Sequence, residues 1–314
     1  MSIEILNSST NAVVISSNPK SGSSNRQNLV DQTAGLLREK GFEVHCFTDI
    51  QTVIETSESL FAEGKLRTVL GAGGDGTAAL LANSLNPDIP ISILPLGTEN
   101  LLAKYLGVTA SPAQVADLIQ LGKTVRLDAG TANGKLFLIM TGCGFDAEVV
   151  QRLHSKRTGH IRHWSYARPI LSAIRRYRFP NLNIEVDGKT IDRRISWAFV
   201  FNIPRYAMNL KFVDDADCLD GRLDLITFRK PNLLNGLFYL FTILFRNHRG
   251  RRDVFEQRFE TLRISAEKPV PFQLDGDPGG QLPVEIKVVP SRLRVLVGEN
   301  WIAQRLPSTP TTKP

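Results

Sequence analysis

The chain has 314 residues, 42% hydrophobic and 22% charged, and a formal charge of +7 from 38 basic and 31 acidic residues. Those proportions exclude a disordered chain and predict one large domain or two ordinary ones, and 24 Gly with 17 Pro exclude a collagen-like or low-complexity chain. Cys46, Cys143 and Cys218 are too few and too far apart for a zinc cluster or a disulfide framework, which points to a reducing, cytoplasmic compartment.

The N-terminus, MSIEILNSST, has neither a basic segment nor a long apolar core, so no secretion signal is expected. Ala12 to Ser16 reads as a strand and Asn18 to Ser23 as a loop. Leu29, Val30, Thr33, Leu36 and Leu37 then recur at helical spacing up to Gly41. Phe42 to Phe47 is a second strand, about Gln51 to Ala62 a weaker helix, and Arg67 to Leu70 a third strand that runs into Gly71-Ala72-Gly73-Gly74-Asp75-Gly76-Thr77. Ile91 to Leu94 is a fourth strand, followed by Pro95-Leu96-Gly97-Thr98 and a helix with Leu101, Leu102 and Tyr105 on its apolar face. Ser111 caps a further helix, with Pro112 in its first position and its end near Gly122. This βαβα order predicts a doubly wound α/β domain over residues 1–124, with a parallel sheet.

From about Val125 the period changes to two. Asn133-Gly134 and Asp187-Gly188 mark tight hairpin turns. Strands are expected at Ser196 to Asn202, Arg222 to Phe228, Thr261 to Ser265, Phe272 to Leu274, Val284 to Val289 and Arg294 to Val297. Helical patterns interrupt them near His163 to Arg178 and Leu233 to Arg246. Residues 125–300 are therefore expected to form an antiparallel β-sandwich-like domain, whose last strand has the option of returning to the first domain, and 301–314 a disordered tail. The apolar run Leu233 to Phe245 is broken by Asn235, Gly236 and Thr242 and is shorter than the ~20 residues of a membrane-spanning helix.

The basicity is local. Between Val149 and Ile184 there is no acid, while Arg152, Lys156, Arg157, Arg162, Arg168, Arg175, Arg176 and Arg178 contribute eight positive charges with aromatics interleaved. This stretch is expected to dock on an anionic membrane surface. The run Leu237 to Phe245, followed by Arg246, Arg249, Arg251 and Arg252, is a second candidate, although a helix apolar all round more often lies in a core. No nucleic-acid-binding motif accompanies these charges, so no nucleic-acid partner is expected.

Gly71 to Gly76 fits G-x-G-x-x-G between a strand and a helix. A dinucleotide fold needs an acidic residue about 20 positions on, at a strand end, and the window around Ile91 to Leu94 has none. A P-loop needs a Lys-Ser or Lys-Thr pair after the glycines, and that is absent too. Glycines allow backbone N–H groups to approach phosphate oxygens, and the following helix offers its positive end. Asp75 in such a loop favours a nucleotide carrying Mg²⁺. A glycine turn that serves only backbone geometry is the plain alternative.

These loops resemble the diacylglycerol kinase catalytic-domain family, bacterial lipid kinases related to sphingosine kinases and NAD kinases, and the resemblance covers nearly the whole chain. Asn18-Pro19-Lys20-Ser21-Gly22 is similar to the family's first nucleotide loop, Gly73-Gly74-Asp75-Gly76-Thr77 to its signature, and Pro95-Leu96-Gly97-Thr98 with Asn100 to its third motif. The resemblance implies ATP held by these residues together with Thr48, and Asp75 on Mg²⁺. It implies Asp277 of Leu274-Asp275-Gly276-Asp277 as the acceptor of the substrate proton, with Asp128 and Asp275 steadying the metal and water network. Leu219-Asp220-Gly221 resembles the segment that binds a structural magnesium ion through a carboxylate, here Asp220, and the main-chain carbonyls of Asp217 and Arg222. Gly144-Phe145-Asp146-Ala147 resembles a segment near the acceptor lipid, which makes Asp146 a substrate residue.

The chain departs from the family pattern in four places. Ala79-Leu80 replaces Asn-Glu, Leu101 replaces Asp, Met208-Asn209 replaces a glycine pair, and Asp277 replaces Glu. The implied function is ATP-dependent phosphorylation of a membrane-lipid hydroxyl, such as diacylglycerol or a sphingoid-type alcohol, by a peripheral enzyme, with a homodimer left open. An NAD kinase-like enzyme and a catalytically weak nucleotide or lipid sensor of the same fold are the alternatives.

Overall fold

The computed structural model describes residues 1–17, 24–155, 180–191, 195–206, 212–229, 239, 242, 243, 245 and 248–305, with backbone alone at 24, 25 and 152–155. The chain forms two units, Met1–Leu127 with Leu293–Pro314, and Asp128–Arg292.

The first unit contains β1 (Glu4–Ile5), β2 (Ala12–Ser17), α1 (Ser24–Glu39), β3 (Glu43–Phe47), α2 (Ile50–Ala62), β4 (Leu66–Gly73), α3 (Asp75–Ser84), β5 (Ile91–Pro95), α4 (Leu101–Tyr105), α5 (Pro112–Leu121) and the start of β6 (Lys123–Ala132). Four strands run parallel in the order β5-β4-β2-β3. Ala12 to Ile15 and the whole of β4 are buried, as befits strands covered on both faces. The path from β2 to β3 runs one way across the sheet, and the path from β3 to β4 and β5 runs the other. Right-handed crossovers then place α1 and α2 on opposite faces, which makes the unit doubly wound. In keeping with this, α1 packs on α5, while α2 packs on β2 and β4. The strand order reverses between β2 and β4, where Ser17 lies beside Ala72.

Local chemistry sets the helix ends. Asp49 accepts from Thr52 N at 2.8 Å, Ser111 accepts from Gln114 N at 3.3 Å ahead of Pro112, and Gly122 closes α5 in the left-handed region at φ 65°. Buried Arg67 donates to the carbonyls of Ile119 and Gln120 at 3.0 and 2.8 Å, which occupies the last acceptors of α5.

The second unit contains the rest of β6, β7 (Lys135–Phe137), β8 (Met140–Cys143), α6 (Phe145–Ser155), β9 (Leu182–Val186), β10 (Lys189–Thr190), β11 (Trp197–Phe201), β12 (Leu223–Phe228), β13 (Val254–Phe259), β14 (Thr261–Ala266), β15 (Pro271–Leu274), β16 (Asp277–Gln281) and most of β17 (Val284–Leu296). One sheet is antiparallel in the order β13-β12-β11-β8-β15-β16, and the other carries β10-β9-β14-β17. Val200, Leu225 and Phe272 of the first share a core with Ile184, Ile264 and Ile286 of the second, so the unit is a sandwich. The Asn133-Gly134 and Asp187-Gly188 turns have both central residues at positive φ, the primed hairpin geometry.

The last strand ends in the first unit, where Val295 pairs with Ile91 in parallel, and it is followed by α7 (Glu299–Ala303).

Several sequence expectations are corrected. Val284 to Leu296 is one strand, because Ser291, at φ 54°, donates its N–H to Asp128 Oδ1 at 2.7 Å and carries the strand past Pro290. Phe145–Ser155 is a helix, and Val254–Phe259 and Asp277–Gln281 are strands, none of which the sequence patterns predicted. The expected disordered tail begins too early: Trp301 is 3% exposed and packs edge-on to Tyr105 at 6.2 Å, and Arg305 lies over its ring. The helical pattern at His163 to Arg178 lies outside the described residues. Of Leu233 to Arg246, Tyr239, Thr242 and Ile243 are helical and buried, which favours a core role there, while Phe245 is exposed.

Candidate functional site

In the first unit the parallel strands bring four C-terminal strand ends to one edge of the sheet, at Ser17, Phe47, Gly73 and Pro95. Ligands of open α/β sheets bind at this edge, beside the point where strand order reverses. The loops after β4 and β5 are in contact. A Cβ on Gly97 would lie 2.5 Å from Gly74 Cα, and one on Gly73 would overlap the side chain of Thr77. Asn100, at φ 51°, closes the second loop by accepting from Gly97 N at 2.9 Å and donating to Gly97 O at 3.0 Å. Asp75 joins the two loops: its carboxylate oxygens accept from Leu101 N and Leu102 N, both at 3.0 Å. Burial pushes the Asp75 carboxyl above the ordinary carboxylate range, against the pull of those two amides. Gly76, Thr98 and Thr48 are exposed and Thr77 is half-buried, so this edge presents backbone and hydroxyl groups to a ligand. Asn18, Pro19, Lys20, Ser21 and Gly22 lie outside the described residues.

In the second unit Asp275 and Gly276 are the two central residues of the β15–β16 hairpin, at φ 49° and 87°. Asp275 accepts three backbone amides, Leu138 N at 2.7 Å and Ile139 N and Met140 N at 2.9 Å, so its carboxylate anchors the approach to β8. Asp277 opens β16 opposite Leu274 and is half-buried. Beside this turn, Asp146 at the start of α6 accepts hydrogen bonds from Tyr206 Oη and, at 2.9 Å, from Gln273 Nε2. The other end of the buried Gln273 amide accepts from Gly276 N at 2.8 Å, so one side chain ties Asp146 to the Asp275-Gly276-Asp277 turn. Gly142 leaves room for this arrangement, since a Cβ there would lie 2.5 Å from Asp146 Oδ2. Phe199, Phe201 and Phe212 meet the Tyr206 ring edge to face, with the Phe212 centroid 4.9 Å away. Burial raises the Asp146 carboxyl, and the bonds from Tyr206 and Gln273 oppose it.

Asp128 and the Leu219-Asp220-Gly221 segment also meet. Asp128, 4% exposed, accepts from Gly221 N and from Ser291 N, both at 2.7 Å. Asp220 Oδ1 accepts from Arg222 N at 3.0 Å, and Arg258 Nη1 lies 3.6 Å from Asp220 Oδ2. Burial raises the Asp220 carboxyl, and the nearby charges of Asp217 and Asp128 add to the rise. Among the described residues no three His, Cys, Asp or Glu side chains converge as a metal site. The donors the sequence analysis named here, one carboxylate and two main-chain carbonyls, are hard oxygens, so they suit magnesium chemically, with Arg258 as the competing cation at Asp220.

Tyr206, Gln273 and Arg258 escaped the sequence analysis. The bonds that bring them to Asp146 and Asp224 span 34 to 127 residues and leave no local pattern.

The model of the diacylglycerol kinase catalytic domain matches residues 11–132, and that of the YegS C-terminal NAD kinase beta sandwich-like domain matches residues 140–297. The chain belongs to the diacylglycerol kinase catalytic-domain family. A diacylglycerol kinase of Mycobacterium tuberculosis is 32% identical over 237 residues, 73% of this chain and 76% of that one. One from Staphylococcus carnosus is 27% identical over 271 residues, 85% and 88% of the two chains. The chain spans 58% of the uncharacterized protein sll0036 of Synechocystis sp., at 26% identity over 252 residues, 78% of this chain. Among solved structures, a diacylglycerol kinase from Bacillus anthracis superposes with a TM-score of 0.67 at 20% identity, over 94% of this chain and 99% of that one. An NAD kinase from Archaeoglobus fulgidus in complex with ATP gives 0.53 at 15% identity, over 94% and 96%. At these identities the structures establish the shared fold, and no helix among the described residues is long and apolar enough to cross a membrane.

Proposed function

We propose that this chain transfers the γ-phosphoryl group of ATP to the hydroxyl of a membrane lipid, of the diacylglycerol or sphingoid-alcohol type. The observation that carries this reading is the contact between Gly74 and Gly97, which brings two glycine loops together at the ligand-binding edge of a parallel sheet. Phosphoryl transfer asks for positioning and charge neutralisation more than for covalent chemistry.

Gly73, Gly74, Gly76, Thr77, Gly97 and Thr98 hold the phosphates through backbone and hydroxyl groups. Asp75 positions the second loop through Leu101 and Leu102, and each of its oxygens keeps a lone pair for a cation. Magnesium neutralises phosphate charge when bound, and Asp220, with the carbonyls of Asp217 and Arg222, would hold a structural ion beside Asp128. Asp277 takes the proton of the lipid hydroxyl as its oxygen bonds to the γ-phosphorus and the bond to the β-phosphate oxygen breaks, releasing ADP. Asp146, set against the rings around Tyr206, orients the acceptor's polar head, and Asp275 keeps the turn that carries Asp277 in place.

Incubation of the pure protein with labelled ATP, Mg²⁺ and a panel of lipids tests the reading, and a phosphorylated lipid is the expected product. ATP binding with no product from any lipid would instead mark a sensor, a reading that exposed Leu80 in place of Glu favours. Phosphorylation of NAD would mark an NAD kinase.

A further inference from the structure

The second unit carries a cluster of cations that the proposed phosphoryl transfer leaves unused. An open cavity of about 550 Å³ is lined by Arg229, Arg249, Arg251 and Arg252 together with Val254 and Phe255. It lies where β12 ends and β13 begins, and Arg229 N donates to Asp253 O at 3.1 Å across that junction.

The four arginines fall into two pairs. Arg249 donates through Nε to Glu256, also at the cavity, at 2.9 Å, and through both Nη atoms to Asp215 at 3.3 Å. Arg251 brackets Asp253 at 3.0 and 3.2 Å, and Tyr239 Oη holds the same carboxylate at 3.0 Å. These bonds fix the turn around Gly250, which has φ 73°. Among the described residues, the guanidinium groups of Arg229 and Arg252 have no carboxylate within 4.0 Å.

A guanidinium fork matches a phosphate bidentately and desolvates more readily than an ammonium. Phe245, four residues before Arg249, is 56% exposed, and an exposed apolar ring beside basic residues can bury itself at the headgroup/acyl boundary of a bilayer. We propose that this cavity binds the phosphate of an anionic phospholipid headgroup and so docks the second unit on the membrane. The site shares no residue with the nucleotide loops or with the Asp146 and Asp277 turn, so it stands whether or not the kinase reading does.

The test is sedimentation of the full chain with phosphatidylglycerol vesicles and with neutral phosphatidylcholine vesicles at low salt. An arginine near an anionic surface contributes about a fivefold gain in partitioning, so the double variant Arg229→Ser with Arg252→Ser should bind phosphatidylglycerol about 25-fold more weakly. Lys189→Ser with Lys287→Ser removes the same charge from the other sheet of the unit and should have a much smaller effect. Phe245→Ser should weaken the binding that survives high salt. Excess glycerol 3-phosphate, the soluble headgroup analogue, should compete for the cavity and weaken binding to the vesicles.

Four outcomes would overturn the proposal. They are equal binding to neutral vesicles, an undiminished arginine variant, an equal loss in the lysine pair, and glycerol 3-phosphate saturating the cavity in calorimetry while vesicle binding is unaffected by the arginine changes.

Discussion

Gly74 and Gly97 approach so closely that neither loop has space for a side chain: a Cβ on Gly97 would stand 2.5 Å from Gly74 Cα and 2.7 Å from Asn100 Oδ1. Gly97→Ala is therefore expected to push the two loops apart and break the Asn100 bonds that close the second one. Forced overpacking of this kind costs about 1–3 kcal/mol. Calorimetric titration should show ATP affinity reduced by at least about tenfold, together with a lower Tm. Unchanged affinity would detach the loop contact from nucleotide binding.

Asp75 has a structural share as well as a chemical one. Asp75→Ala removes the acceptor of two amides at the start of α4, so both turnover and stability should fall, the latter by about 1–3 kcal/mol. A carboxylate merely exposed in a glycine loop would instead leave the fold intact on removal. Thermal unfolding of Asp75→Ala decides between the two, and an unshifted Tm would remove the brace.

The neighbouring carboxylates of the β15–β16 turn should separate cleanly. Asp277→Asn is expected to lower kcat by roughly 10²–10⁴-fold with little change in Tm, as for a lost general base. Asp275→Ala should instead destabilise the protein by about 3 kcal/mol or more, since three amides lose a charged acceptor. Asp275→Asn should recover much of that, because asparagine tolerates the φ of 49° and keeps one acceptor oxygen. Circular dichroism melts and steady-state kinetics on the three proteins check the pattern, and a stable Asp275→Ala would contradict the anchoring role.

Asp146 should show stability exchanged for function. Its carboxyl is raised by burial, so the folded state binds a proton more tightly than the unfolded chain, and stability falls as pH rises from the unfolded value of about 3.9 through the raised folded one. Asp146→Asn escapes that loss: asparagine can accept from Gln273 and donate to Tyr206. The variant should match the wild type in Tm at acid pH and equal or exceed it near pH 7, while lipid phosphorylation drops. A Tm deficit at neutral pH that vanishes in acid would reverse the sign and refute the assignment.

The first unit was legible because its signals are local. Apolar runs such as Ala12 to Ile15, a capping Ser111 before Pro112 and a glycine-rich strand end each act within a few residues. The second half hid what depends on distant partners. Asp277-Pro278-Gly279-Gly280 reads as a turn, yet it is an edge strand, where proline removes no needed donor and the glycines leave space for the Phe272 ring. Pro290-Ser291 reads as a break, and only Asp128, 163 residues away, keeps the strand going. The residues around Asp146 followed the same rule: the aspartate was found from its neighbours in sequence, whereas Tyr206 and Gln273 are neighbours only in space.

The return of β17 to the first unit sets an order of events during synthesis. The Asp128–Arg292 unit is continuous and can close as soon as the ribosome has released it. The first unit, although translated earlier, waits for Val295 to pair with Ile91 at the outer edge of β5 and for Trp301 to cover Tyr105. Until then β5, a strand buried along its whole length in the folded chain, exposes the edge that faces away from β4, of the sort that recruits other chains. A nascent chain halted before residue 293 would thus carry a finished C-terminal body and an aggregation-prone N-terminal one, the reverse of the usual vectorial sequence.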